Sequence, residues 1–282
     1  MCTPRSKGCS PRPGRIDRLV IVRKSSAEIA KIAAAGVVVA ECLELLAAAV
    51  RPGITTLELD RRAESFIIER GGTPTFKGYR GFPKSICASP NDMVVHGIPG
   101  AYAVGDGDVL SLDVGVTLAG YVADSALTVA VGRIGDDALR LLAATQESLE
   151  AAIEQCRPGN RLGDVSHAVQ EVVEAAGFNV VRSLVGHGVG RVMHEEPQIP
   201  NYGEAGRGPR LEAGMVFAIE PMVNAGTFDV YLGEDAWSIY SADHSLSAHF
   251  EHTVAITDRG PRVLTRRRSE AVSALRAAGA GG

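Results

Sequence analysis

The chain repeats itself at long range. Arg51-Pro52-Gly53 opens a helix-like stretch that ends at Gly71, and Arg157-Pro158-Gly159, 106 positions later, opens a similar one that ends at Gly177. At that offset the apolar positions Leu59, Phe66 and Ile67 meet Val165, Val172 and Val173, so the two stretches present the same face. A longer amphipathic helix precedes each, over roughly 26–49 and 136–156. Strands follow the helices: 107–113 reads as a β run ending in an acid, and 214–220 does the same at an offset of 107. A third match sets Asp124, in 122–131, against Glu251, in 248–257. Such a duplication restricts the chain to an α+β fold whose two similar halves bring their strands together and keep their helices outside.

Acids sit where a core is expected. Asp113 lies in Val109-Leu110-Ser111-Leu112-Asp113-Val114, and Glu220 follows Val216-Phe217-Ala218-Ile219. A buried carboxylate must be paired, protonated or bound to a cation. Asp113 and Asp124 flank the turn 117–120, and a hairpin centred between Leu118 and Ala119 sets them directly opposite, with Cβ atoms roughly 4.5–5.5 Å apart. Two carboxylates at ~4 Å repel by about 4 kcal/mol at an effective dielectric near ~20. The repeat then places Glu220 and Glu251 opposite them from the other half. Four negative charges match two divalent ions. His187, within Val185-Gly186-His187-Gly188-Val189-Gly190, completes a set of oxygen donors with one imidazole, which suits Mn, Fe, Co or Zn. Bridging carboxylates would hold two such ions roughly 3.5–4 Å apart with a shared hydroxide, an arrangement built for hydrolysis.

Bulk properties narrow the setting. A net charge of −4 and a pI near 6.0 create no demand for nucleic acid or membrane. Five cysteines, an odd number without short spacings, fit a reduced cytoplasm better than a disulfide framework or structural zinc site. No apolar run is expected to approach the ~18 residues of a membrane span. Residues 1–18 read as a flexible basic extension, 19–262 as a single catalytic domain, and 263–282 as a charged C-terminal tail.

Gly81-Phe82-Pro83-Lys84-Ser85, Asn91-Asp92-Met93-Val94-Val95-His96-Gly97-Ile98-Pro99, the stretch 186–202, Phe217-Ala218-Ile219-Glu220-Pro221-Met222 and Phe250-Glu251-His252-Thr253 together resemble the bacterial type I methionine aminopeptidases. These belong to the pita-bread metallopeptidases, and the likeness covers roughly 20–260. It implies a pita-bread fold with two pseudo-twofold-related halves, a central antiparallel sheet and outer helices. It also implies removal of the initiator methionine from nascent proteins with a small second residue, acting as a monomer. Carried over by position, the resemblance makes Asp113, Asp124, His187, Glu220 and Glu251 ligands to two divalent ions (Co, Mn, Fe or Zn), with Asp124 and Glu251 bridging.

The same resemblance makes Glu220 the general base, His194 the stabiliser of the oxyanion, and His96 a contact to the scissile amide or the following residue. Tyr79, Phe82, Cys87, Met193 and Trp237 become the walls of a methionine slot. Departures touch no ligand: Val122-Ala123 precedes Asp124 where many relatives carry His-Gly, Leu184 replaces an aromatic or Met, and Phe76 replaces a Cys found in some members. The short interval from His187 to Glu220 favours type I over type II. Aminopeptidase P and prolidase use the same ligand types but usually carry a sizeable N-terminal domain. A catalytically dead binding module of this fold typically loses ligands, and all five are present. The basic residues of 1–18 raise contact with ribosomal RNA as an expectation, against a solvated tail.

Overall fold

The computed structural model describes residues 20–268 and 270. Four helices carry the repeat: α1 (Ser26–Ala49), α2 (Thr56–Glu69), α3 (Asp136–Gln155) and α4 (Leu162–Ala175). Both α2 and α4 are 14 residues long, and their starts are separated by the sequence offset. Local chemistry sets their beginnings. Ser25 and Glu28 form a reciprocal capping box on α1, Thr55 and Glu58 do so on α2, and the Asp164 carboxylate accepts the Arg161 N–H at 2.7 Å on α4. Their ends are set by Gly71 (φ 74°) and Gly177 (φ 85°), whose left-handed conformation only glycine adopts without strain.

Each half contributes an antiparallel sheet. In the first, Val109–Leu118 pairs with Tyr121–Ala130 on one side and with Thr73–Pro74 and Cys87–Pro90 on the other. In the second, Val216–Ile219 lies between Val185–Gly188 and His252–Thr257, with Glu195–Pro200 and Gly260–Val263 outermost. α1 packs on the first hairpin, and α3 packs with α4 against the second half. A hydrogen-bonded seam ties the two sheets. The Thr253 hydroxyl accepts the Asp124 N–H at 2.9 Å and donates to the Asp124 carbonyl at 2.8 Å, while the Glu251 N–H donates to Ala126 O at 3.0 Å. That seam brings an acid from each half to one floor.

Three expectations are corrected. The hairpin turns on Ala119 and Gly120, both with positive φ (49° and 76°), as a two-residue hairpin loop requires. Asp113 therefore pairs with Ala126, and Asp124 with Gly115. The acids are diagonal rather than opposed. The later turn displaces each partner by two residues, so the side chains stay on the same face.

Secondly, the chain beyond 262 does not start as a tail. Gly260–Val263 is a strand, Leu264, Thr265 and Arg267 are buried, and Arg267 is ion-paired with Glu270, which also approaches His252 Nε2 at 3.4 Å. Of the charges that made the segment look solvated, Arg267 is neutralised inside, while Arg266 and Arg268 stay at the surface. The 1–18 extension and residues 271–282 lie outside the described residues.

Thirdly, α1 is long and apolar enough, by length and composition, to cross a membrane (mean hydropathy 2.0). Charged residues such as Lys31 and Glu41 break its run, which hid this from a reading by uninterrupted stretches. Ile32, Ala35, Val39, Cys42, Leu43 and Leu46 on its inner face are buried in the core.

Candidate metal centre

The floor of the site follows from strand register. His187 pairs with Ala218, and Ala218 with Thr253. Glu220 lies two residues beyond Ala218 and Glu251 two before Thr253, so the two-residue period of a strand puts His187, Glu220 and Glu251 on one face. The seam delivers Asp124 to that face, and the hairpin delivers Asp113 diagonally beside it. Asp124, His187 and Glu251 each offer a ligand atom within 4.8 Å of the others. Glu220 Oε1 lies 3.5 Å from His187 Nε2.

The electrostatics of this floor are unfavourable for protein alone. Burial pushes Asp113 up to about 7. Asp124 is raised well above the usual range by burial, then by Glu251 and Asp113. Glu220 is raised by burial, then by Asp124 and Asp113, and Glu251 by burial, then by Glu220 and Asp113. Asp113 Oδ1, Asp124 Oδ1 and Glu251 Oε1 are buried with no hydrogen-bond partner among the described residues. Buried polar atoms are ordinarily satisfied, so orphaned carboxylate oxygens converging on one point fit a bound cation.

His187 is prepared in the same sense. Burial, then His194, pushes it down to about 4, and its Nδ1 lies 2.9 Å from Gly188 O. A carbonyl only accepts, so Nδ1 carries the hydrogen and Nε2 keeps a lone pair toward the acids. A neutral imidazole fixed in that tautomer is a competent ligand.

Above the floor stands a cavity of about 280 Å³. Every residue singled out from the sequence lines it: Asp113, Asp124, His187, Glu220, Glu251, His96, His194, Tyr79, Phe82, Cys87, Met193 and Trp237. Phe82 and Trp237 meet edge to face at 5.1 Å, and Phe76 meets Phe82 in the same way at 6.4 Å. Trp237 is presented by a tight turn in which the Asp235 carboxylate accepts the N–H groups of Trp237 and Ser238, each at 2.8 Å. Cys87 pairs with Asp113 across the sheet, and burial, then the neighbouring acids, holds its thiol far above the usual range. It is an apolar wall rather than a nucleophile.

Three further features shape the rim. His96 has φ 62° and is pushed down to about 4 by burial, then by His194. The His194 ring lies 4.2 Å from that of His187, tilted by 48°, and its Nδ1 lies 2.8 Å from the Tyr79 hydroxyl. The loop bearing His194 is held by Glu195, which pairs with buried Lys24 at 2.7 Å and accepts the Arg191 N–H at 2.8 Å.

The sequence reading passed over Arg80, Val95, Ser183, Val185 and Met222, which also line the cavity. Arg80 lay beside Tyr79 and Met222 inside the Glu220-Pro221-Met222 motif. Phe76 and Leu184, noted only as departures from the family pattern, are lining residues too.

The model for metallopeptidase family M24 matches residues 30–258. A Clostridium perfringens protein named methionine aminopeptidase is 52% identical over 246 residues, spanning 87% of this chain and 99% of its own. The methionine aminopeptidase 1 of Bacillus subtilis is 50% identical over 247 residues, spanning 88% of this chain and 100% of its own. The crystal structure of methionine aminopeptidase from Thermotoga maritima superposes with a TM-score of 0.87 at 44% identity, covering 88% of this chain and 100% of that one.

Proposed function

The chain belongs to metallopeptidase family M24, and from that premise we infer that it is a metal-dependent methionine aminopeptidase of pita-bread fold. It removes the N-terminal methionine from nascent polypeptides. The observation that carries this reading is the convergence of four carboxylates, Asp124 and Glu251 buried and Asp113 and Glu220 half-buried, with one neutral histidine beneath an aromatic slot.

Asp113, Asp124, His187, Glu220 and Glu251 would hold the divalent metal in this reading. Their number supports two sites, and their mixture of oxygen donors and one imidazole suits Mn, Fe, Co or Zn. Bound there, divalent ions supply Lewis acidity, polarising the scissile carbonyl and bringing the attacking water's pKa near neutrality. The remaining work belongs to side chains. The methionine side chain fills the slot between Tyr79, Phe82, Cys87, Met193 and Trp237. The substrate's ammonium group is drawn toward Asp113, which restricts cleavage to a free N-terminus. Glu220 takes the proton from the water and returns it to the leaving amine. His194, its Nδ1 accepting from Tyr79, directs an Nε2–H at the oxyanion, and His96 contacts the scissile amide or the following residue. The resemblance to methionine aminopeptidases implies a preference for a small second residue.

The free, buried Cys42, Cys87 and Cys156 support a reducing cytoplasm. Contact of residues 1–18 with the ribosome rests on their basic composition alone. A salt-sensitive ribosome pull-down lost on deleting 1–18 supports it, and unchanged binding dismisses it.

The deciding experiment is methionine release from a Met-Ala-Ser peptide beside an Ala-Pro-Ala control, with chelator-stripped protein compared with protein reloaded with Mn or Co. Metal-dependent cleavage of the Met peptide alone is expected. Cleavage of the Pro peptide instead moves the chain to the aminopeptidase P class, and cleavage of neither by metal-bound protein refutes the reading.

A further inference from the structure

The cavity is acidic below and carries a single positive charge at its mouth. Among the described lining residues Arg80 is the one lysine or arginine, and it is exposed. It makes no ion pair with any described residue. Its guanidinium lies over the Tyr79 ring, 5.4 Å from the centroid, and Tyr79 is itself bonded to His194. The backbone holds Arg80 in place as well. With φ 50° it occupies the left-handed region between Gly78 (φ 87°) and Gly81 (φ 91°), a strained conformation for a non-glycine residue. Gly78 N–H donates to Phe82 O at 2.8 Å and Phe82 N–H to Tyr79 O at 2.9 Å, closing a small loop that projects Arg80 over the opening.

Substrate direction follows from the gradient of burial. Asp124, His187 and Glu251 on the floor are buried, whereas Arg80, Ser183 and His194 at the rim are exposed. A peptide whose ammonium end reaches the floor must lead its third and later residues out past that rim. An unpaired guanidinium anchored on an aromatic ring there offers a carboxylate partner and repels a cation.

We propose that Arg80 is a specificity-determining residue that reads charge downstream of the second substrate residue, favouring acidic chains over basic ones. The inference rests on the aminopeptidase reading and deepens it by naming a substrate class. A solvent-exposed ion pair shifts an equilibrium by roughly 2–5-fold and is screened by salt, so the preference is modest and ionic-strength dependent.

The test uses full-length, metal-loaded protein and C-terminally amidated peptides Met-Ala-Xaa-Ser-Gly with Xaa Asp, Ser or Lys. With the native chain at low salt, kcat/KM should fall in the order Asp, Ser, Lys over about fivefold, and the spread should shrink in concentrated salt. The ratio should flatten in Arg80→Gln and invert in Arg80→Glu. Because ratios are taken within one protein, a general loss of activity in a variant cancels. Equal rates for the three peptides, or the same order in all three proteins, overturn the role of Arg80 while leaving methionine release intact. Absence of release from every peptide overturns the aminopeptidase reading itself.

Discussion

The Tyr79 hydroxyl lies 2.8 Å from Nδ1 of His194, and the two rings stack at 5.4 Å with 28° between their planes. A phenol that donates to Nδ1 leaves the ring hydrogen on Nε2, the nitrogen free to face a reacting carbonyl. Tyr79→Phe should therefore lower kcat by about 3–10-fold, the scale of one lost neutral hydrogen bond of roughly 0.5–1.5 kcal/mol, with KM for a Met peptide little changed. A rise in KM with kcat preserved would reassign Tyr79 to binding alone.

Replacing Glu220 by Gln keeps the shape of the floor and removes the proton acceptor. Turnover per bound metal ion should fall by at least ~100-fold, the low end for losing acid–base help, with elemental analysis correcting for any metal lost along with the ligand. Near-normal turnover in a loaded variant would end the assignment of Glu220 as base.

Stripping the metal should change how stability depends on pH. Burial holds Asp113 at about 7, against an ordinary 3.8, and raises Asp124, Glu220 and Glu251 well above their usual range. The folded metal-free protein then keeps protons that the unfolded chain has released, so the acids' contribution to stability falls as pH rises from about 4 through 7 and beyond, whereas the buried His96, His187 and His249, pushed below their usual range, act in the opposite sense up to the ordinary histidine value of 6.5. Thermal unfolding of chelated protein should therefore show a lower Tm at about pH 8.5 than at about pH 7, an interval above the histidines' contribution. Reloading the metal, which binds the ionised acids, should remove most of that slope and release protons into weakly buffered solution. A stripped protein whose Tm rises over this interval contradicts the assignment.

Thr253 satisfies both backbone groups of Asp124 with one hydroxyl, joining the halves of the molecule. Thr253→Val preserves shape but orphans a buried N–H, at a cost of about 1–3 kcal/mol. Denaturant titration of stripped protein isolates that loss from metal affinity. A shift within about 0.3 kcal/mol would mean the seam is held by the strand contacts alone.

Trp237 packs edge-on against Phe82 and owes its position to the Asp235 turn. Trp237→Ala should raise KM for Met peptides several-fold and leave metal affinity nearly unchanged, as isothermal titration would report. Equal loss of both would mark the ring as structural support.

Much of this was legible along the chain because it depends on short-range periodicity. The 106-residue offset aligned α2 with α4, and an offset of 107 set an acid at the end of a strand in each half. The candidate ligand types were readable from local patterns, while the candidate slot residues and the pita-bread fold came from the resemblance carried by short motifs.

What tertiary structure decided depends on contacts between residues remote in sequence. The turn at Ala119-Gly120 moved Asp113 off Asp124 by two residues, a choice made by left-handed backbone geometry that hydrophobic alternation does not encode. Arg267 reads as solvated in sequence, yet an acid three residues later neutralises it beneath the surface. The apolar length of α1 admits a membrane span, and only the sheet beneath it shows which face is buried in the core. Arg80 is an ordinary charge on the string. It acquires meaning when the loop from Gly78 to Phe82 aims it across the opening above four acids. Composition and period fix what each segment can do locally, while burial and register, set by the whole chain at once, fix which groups meet.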